Sequence, residues 1–368
     1  MVHSVVEDSA DRPWPAPMTD LVILRPQGMY CPPGDFYIDP WRAVDRAVIT
    51  HAHGDHARGG HRHYLAATPS AHVLRARLGS GISLETLDYG ETIAINGVRV
   101  SLHPAGHVLG SAQVRIEHGG AVWVASGDYK AAPDFAAEDA TCAPFEPLRC
   151  DTFISESTFG LPVYRWRAQA DIATDINTWW AANADAGRAS VLFAYSFGKA
   201  QRILAMVDAS IGPIVCHGAT ENLNAAYRAS GVQLPATRLA AEPGEATDRK
   251  RALVLAPPST QGSAWLKRFG DYSDAFASGW MQLRGARRRH AVDRGFVLSD
   301  HADWPGLMQA IAASGAGRVI VTHGQVPVMV RALGERGLAA QAFATEFGGD
   351  SGDEITDPAV ASMAPAAA

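Results

Sequence analysis

Short apolar runs that stop at an acidic residue or a histidine recur along this chain. Leu21-Val22-Ile23-Leu24 opens the series, and after a Pro/Gly turn Phe36-Tyr37-Ile38 ends at Asp39. Ala47-Val48-Ile49-Thr50 then runs into His51, His53, Asp55 and His56. Its β-branched residues suit a buried strand, with the polar set at the turn that follows. Residues 91–113 read as a hairpin around Asn96-Gly97, a strong two-residue turn signal, which carries His107 past Pro104 and Gly106. Further strands end at Asp128, Glu156, His301 and His323. Open α/β sheets place their chemistry beyond the C-terminal ends of strands, so this repetition points to one cleft.

Between Gly160 and Asp293 the pattern changes. Residues 171–187 alternate at helical spacing, and residues 190–209, 213–230 and 251–270 each read as a strand followed by a helix. Strand–helix alternation of this kind predicts a parallel sheet of its own, inserted between the earlier and later strand ends. The expected fold class is α/β. A flexible lead covers residues 1–18, one domain is split over 19–160 and 294–347, an inserted βαβ-type domain covers 161–293, and an Ala/Pro-rich acidic tail, expected to be disordered, covers 348–368. The segment after the histidine-rich turn, residues 56–79, reads as a turn and a helix; His61, His63 and His72 lack the strand-end context and are read as structural.

The chain has 368 residues, more than one typical domain, which agrees with the split. A hydrophobic share of 47% and a charged share of 19% are ordinary for a globular protein with a sizeable core. The net charge of −6 excludes a global polyanion-binding signature and leaves only a local basic patch. Cys31, Cys142, Cys150 and Cys216 are scattered without a CxxC pair, which favours buried thiols over zinc ligands or disulfides. The first residues lack an apolar signal core and no run approaches about 18 apolar residues, so no membrane partner is expected and a cytoplasmic location is.

Composition leaves the chemistry to the turn at His51. Three histidines and an aspartate within six positions, directly after a core-type strand, point to metal rather than a histidine-rich surface loop. Alternation puts His51, His53 and Asp55 on one side of an extended turn and His56 on another, so the turn can serve two ions, with Asp55 and His56 committed to the second. Imidazole and carboxylate suit Zn²⁺, with Mn²⁺ or Fe where oxygen ligands gather.

The motifs HAHGDH (51–56), AGHVLGSAQ (105–113) and SGDYK (126–130) together resemble the metallo-β-lactamase superfamily. ISESTFG (154–160), LSDHAD (298–303) and VTHG (321–324), with the long insertion before LSDHAD, resemble its β-CASP nuclease branch. Residues 34–61 and the compact length look most like bacterial ligase-associated DNA exonucleases. The resemblance runs from about residue 20 to 347 and implies an αββα metallo-β-lactamase sandwich with an inserted β-CASP domain. It further implies a nucleic-acid phosphodiesterase with two divalent metal ions, Zn²⁺ first and Mn²⁺ also compatible, associated with an ATP-dependent DNA ligase and a helicase. A histidine at the last motif, His323 here, goes with RNA substrates in that branch, so an RNA-processing nuclease is the alternative reading. A small-molecule metallo-hydrolase needs neither the insertion nor the Glu156/His301 pair.

By the same resemblance, His51, His53 and His107 hold the first ion, Asp55, His56 and His323 the second, and Asp128 spans both. His301 is the expected general acid, with Glu156 orienting it, and Asp39 is expected behind a ligand histidine rather than on a metal. Substrate contacts are assigned to Ser196 and Lys199, on a turn whose backbone N–H groups are placed to cradle phosphate, to Ser278 and Gly279, and to the basic cluster around Arg287 with Arg284, Arg288 and Arg289. A plain helix cap accounts for Ser196 almost as well, and a solvated basic turn for the arginines. Trp280 is a candidate base-stacking residue or a core one.

Overall fold

A computed structural model describes residues 20–137, 139–240, 246–283, 285 and 292–347. The expected lead and tail, and Arg284 with Arg287, Arg288 and Arg289, lie outside the described residues.

Two mixed sheets face each other. The first takes six strands in chain order: Ile23–Arg25, Gly28–Cys31, Phe36–Ile38, Arg46–Val48, His63–Ala67 and Leu84–Leu87. The second is seven-stranded, in the order Ala339–Ala342, Arg318–Gly324, Thr152–Ser157, Ala121–Ala125, Ala112–His118, Val98–Pro104 and Thr92–Ile95. Strand alternation sends Val98, Val100, Val114 and Ile116 inward, where they meet Cys31, Phe36, Ile38 and Val48 of the first sheet in one core. The outer face of the second sheet is covered by helices Trp304–Ser314 and Val326–Gly334 through Leu307, Ile311, Met329 and Leu333. Helix Ala71–Leu78 covers the outer face of the first through Val73 and Leu74. The layering is therefore helix, sheet, sheet, helix.

A third sheet is wholly parallel, in the order Arg238–Leu239, Ile214–Cys216, Leu253–Ala256, Ala189–Phe193, Tyr272–Ala277 and Arg294–Phe296. Its central strands Ala189–Phe193 and Leu253–Ala256 are buried at every position, as a sheet with both faces covered requires. Helix Gln169–Asp185 packs Ile172, Ile176 and Trp180 on it. Helix Gly218–Ala229 turns Leu223, Ala226 and Tyr227 toward Val73 and Leu74, which joins the third sheet to the first.

Several elements depart from the sequence reading. Strand Arg294–Phe296 pairs with Tyr272–Ala277, so the third sheet extends past the expected boundary at residue 293. A fifth strand, His63–Ala67, lies in the segment expected to hold only a turn and a helix, because its buried residues are too few for periodicity to identify. After Leu253–Ala256 the chain forms 3₁₀ turns Pro258–Thr260 and Ala264–Phe269 instead of an α-helix. Pro257, Pro258 and Gly262 interrupt the α-helical ladder there. At Asn96-Gly97 both residues take positive φ, and Ile95 pairs with Val98, which is the tight hairpin the sequence predicts.

Candidate metal centre

Elements that end near the junction of the two facing sheets deliver polar side chains into a buried cluster, four of them, His51, His53, Asp55 and His56, from the turn after strand Arg46–Val48. Asp128 stands at the middle of the cluster. Its Oδ2 lies 3.6 Å from His51 Nε2, 3.5 Å from His56 Nε2 and 4.0 Å from His107 Nε2, and its Oδ1 lies 2.9 Å from His323 Nε2. Asp55 Oδ2 is 3.8 Å from His56 Nε2. Potential ligand atoms of His51, His53, His107 and Asp128 fall within 4.8 Å of one another, as do those of His56, Asp128 and His323.

Local structure explains these placements. Gly127 takes φ +57°, and a Cβ there would sit 2.6 Å from Thr50 Cβ, so only glycine lets the turn after strand Ala121–Ala125 pass over Thr50 and present Asp128. His107 sits in a turn wound on Ser111, whose Oγ accepts from the backbone N–H of both His107 and Val108. His323 ends strand Arg318–Gly324, and Ser157 Oγ donates to its carbonyl at 2.6 Å.

The outer hydrogen bonds decide which nitrogen of each histidine faces inward. His107 Nδ1 meets the Asp300 carbonyl at 2.9 Å, and a carbonyl only accepts, so Nδ1 carries the proton and Nε2 keeps its lone pair. His56 Nδ1 donates in the same way to Asp39 Oδ2 at 2.7 Å. Thr50 Oγ1 spends its proton on Asp39 Oδ2, so it accepts from His51 Nδ1 and leaves His51 Nε2 bare. Thr322 Oγ1 donates to the Ser155 carbonyl and accepts from His323 Nδ1. His53 Nε2 faces the Phe197 carbonyl at 3.4 Å, and its Nδ1 lies 3.0 Å from His107 Nε2.

The Nε2 lone pairs of His51, His56, His107 and His323 are aimed at the Asp128 carboxylate and repel it unless a cation stands among them. His51 Nε2, His56 Nε2 and Asp128 Oδ1 are buried without a hydrogen bond, which is the same signature. Burial pushes His51 well below the usual imidazole range and takes His53 and His107 to about 3, so these rings are neutral ligands at physiological pH. At His56 burial acts downward too, but the carboxylates of Asp128 and Asp55 and the hydrogen bonds to Asp128 and Asp39 raise it well above the usual range. That field calls for positive charge. The residues present therefore fit divalent metal, and these buried histidines and aspartates can bind it.

Next to this centre, His301 Nδ1 meets both oxygens of Glu156 at 2.9 Å. Glu156 also accepts from the backbone N–H of Tyr129 at 2.8 Å and of Thr158 at 3.3 Å. Burial works to raise Glu156, but the adjacent His301 holds it below the usual carboxylate range. His301 follows the edge strand of the third sheet, so that sheet brings it to the metal cluster; its ring centroid lies 4.5 Å from that of His107.

The expected substrate residues are placed differently. Lys199 is buried at 1% exposure with Nζ 3.5 Å from Asp300 Oδ2, and Ser196 is buried with its Oγ near Thr220 Oγ1. Neither offers the open phosphate cradle expected of them, because the turn at Gly198 packs against Val108 under the His107 loop. Ser278 Oγ caps the turn Gly279–Gln282 by accepting from Trp280 N–H, and Gly279 is covered by Phe159. Trp280 is half-buried in an aromatic cluster with Phe159 and Tyr164.

Three participants escaped the sequence reading. Phe347 stacks on the His56 ring with centroids 4.3 Å apart and meets His323 edge-on. Trp166 Nε1 donates to the His301 carbonyl at 2.9 Å while its backbone N–H reaches Asp303. Arg202 reaches the His107 carbonyl at 3.1 Å. No local motif marks any of them, since each acts across a long sequence separation.

The comparisons agree with the motif reading. The chain is 34% identical over 319 residues to a probable DNA ligase of Opitutus terrae, a match covering 86% of this chain and 30% of that protein. It is 34% identical over 125 residues to the endoribonuclease YSH1 of Yarrowia lipolytica, covering 34% of this chain and 14% of that protein. The YSH1 endoribonuclease of Saccharomyces cerevisiae is 30% identical over 125 residues, covering 34% of this chain and 15% of that protein. The chain thus spans less than a third of the length of each. No protein-family model matches it. Among solved structures, a protein of unknown function from Enterococcus faecalis V583 superposes with a TM-score of 0.55 at 12% identity, covering 82% of this chain and 80% of that one, a likeness of fold alone.

Proposed function

Because this chain is a relative of the β-CASP branch of the metallo-β-lactamase superfamily, we propose that it is a metal-dependent phosphodiesterase acting on nucleic acid. Within that class the reading is a cytoplasmic DNA exonuclease in repair, working beside an ATP-dependent DNA ligase and a helicase. Its facing sheets correspond to the αββα sandwich of the superfamily and its parallel sheet to the inserted β-CASP domain. One observation carries the reading: five histidines converge on Asp128, and a hydrogen-bonded histidine–glutamate pair, His301 and Glu156, lies within reach of the same carboxylate.

In this reading His51, His53 and His107 hold one divalent ion, Asp55, His56 and His323 the other, with Asp128 between them and Zn²⁺ the expected metal. When bound, the ions supply Lewis-acid activation of water and offset charge on the phosphoryl oxygens. The chain's own groups do the rest. His301 keeps Nδ1 on Glu156 and offers Nε2 to protonate the leaving oxygen. Glu156, ionised and held by two backbone N–H groups, stabilises the imidazolium before transfer and fixes its ring. Asp39 orients His56 from behind.

An RNA nuclease is the second reading, favoured by His323 and by the endoribonuclease relatives. End-labelled single strands of DNA and RNA of one sequence separate the two. Stepwise shortening of DNA by the metal-loaded protein, absent in His53→Ala, supports the exonuclease; cleavage of RNA with DNA spared supports the alternative. Cleavage of neither would remove both.

A further inference from the structure

Four charges are buried together where the third sheet meets the metal centre. Arg202, 1% exposed, lies on helix Lys199–Met206 of that sheet. Its Nε is 3.0 Å from Asp300 Oδ1 and one terminal nitrogen is 2.9 Å from Asp139 Oδ2. The same nitrogen donates to the His107 carbonyl at 3.1 Å, and the other donates to Gln169 Oε1 at 3.3 Å. Lys199 of the same helix supplies the second cation, 3.5 Å from Asp300 Oδ2.

Such a cluster is a poor source of stability, since desolvating each ion costs several kcal/mol and the pairings roughly return it. What it supplies is position. Asp300 sits between the two cations, its Oδ1 an ion-pair contact with Arg202 Nε without a hydrogen bond and its Oδ2 facing Lys199, and its backbone carbonyl receives His107 Nδ1–H at 2.9 Å. That bond selects the His107 tautomer whose Nε2 faces inward. Arg202 holds His107 a second time through the carbonyl of its own residue. The two terminal nitrogens of the guanidinium reach Gln169, Asp139 and the His107 carbonyl at once while Nε faces Asp300 as an ion pair, whereas an ammonium is a single point of charge.

We propose that Arg202 is a positioning residue for the metal centre: from the parallel sheet it fixes His107 both directly and through Asp300, and so sets the affinity of the site His107 serves. The inference rests on the metal-centre reading above and is independent of the substrate. Its probe is Co²⁺, titrated into chelator-stripped protein and followed by visible absorption and by metal per chain. Arg202→Met and Asp300→Asn weaken uptake of one equivalent by about 10- to 100-fold, the usual effect of removing a group behind a ligand, and leave the other equivalent unchanged. Arg202→Lys keeps the buried charge without the fork and falls between; it serves if the methionine variant does not fold. Equal weakening of both equivalents would mean a merely structural role and overturn the proposal, as would wild-type affinity and band shape in Arg202→Lys and Asp300→Asn. A wild-type protein that takes up no Co²⁺ would overturn the metal reading and this proposal together.

Discussion

At His301 one ring nitrogen meets both oxygens of a buried glutamate, which fixes the ring beside the metal cluster. A carboxylate in that position lowers the cost of the imidazolium without taking its proton. His301→Ala is therefore expected to keep the metal content of the parent while kcat falls by about 10²- to 10⁴-fold. Elemental analysis alongside initial rates checks this, and parental turnover would remove His301 from the reaction. A second residue-scale expectation concerns His61, which lies outside the metal centre and accepts a hydrogen bond from Val44 N–H. Burial lowers His61 to about 4. A histidine depressed in the folded state favours unfolding once protons are plentiful, so its stabilisation is complete above the ordinary value near 6.5 and drains away as pH falls toward 4. The melting temperature should fall over that window, and His61→Asn should flatten the fall. An identical slope in the variant would show that His61 does not contribute. The candidate ligand types were legible from sequence because His51, His53, Asp55 and His56 are adjacent. Phe347 was not, since nothing local distinguishes an aromatic that stacks on His56 from one in the core.

Among the elements, the strand ends do the placing. Val48 closes the ladder of one sheet and Ala125 that of the other, and the turns beyond them cross at Thr50 and Gly127. An alanine at Gly127 would have to hold a positive φ and also displace Thr50, whose N–H and hydroxyl both bond Asp39. Gly127→Ala should cost about 2 kcal/mol or more in urea-induced unfolding and loosen metal binding with it. An unchanged transition midpoint would show that the turn can move aside. Strand ends and the Asn96-Gly97 hairpin were readable because period and turn chemistry are local properties. The edge strand Arg294–Phe296 joins the third sheet although the sequence boundary at residue 293 leaves it outside that domain, because which neighbour a short strand joins is a matter of long-range pairing.

For the molecule as a whole, burial governs the cysteines. Cys31 is pushed up to about 11, and Cys150 and Cys216 to about 12, by desolvation first of all. Cys142 is raised as well, by burial and then by Asp139. A thiol reacts as its thiolate, so native protein at pH 8 should resist Ellman's reagent, and four thiols should appear on adding denaturant. Rapid labelling of the native protein would contradict the packing. The sequence alone determined the α/β class, the order of strands that end in candidate ligands, and which histidines and aspartates those are, because these follow from short-range patterns of apolar spacing and turn residues. Only the tertiary structure decided which imidazole nitrogen faces inward, that Lys199 is buried against Asp300 instead of open to phosphate, that Arg202 joins it there, and that the parallel sheet carries His301 to the centre. Those outcomes depend on hydrogen bonds and ion pairs between residues far apart in the chain, and such partners are set when sheets and helices pack, not by the residues on either side.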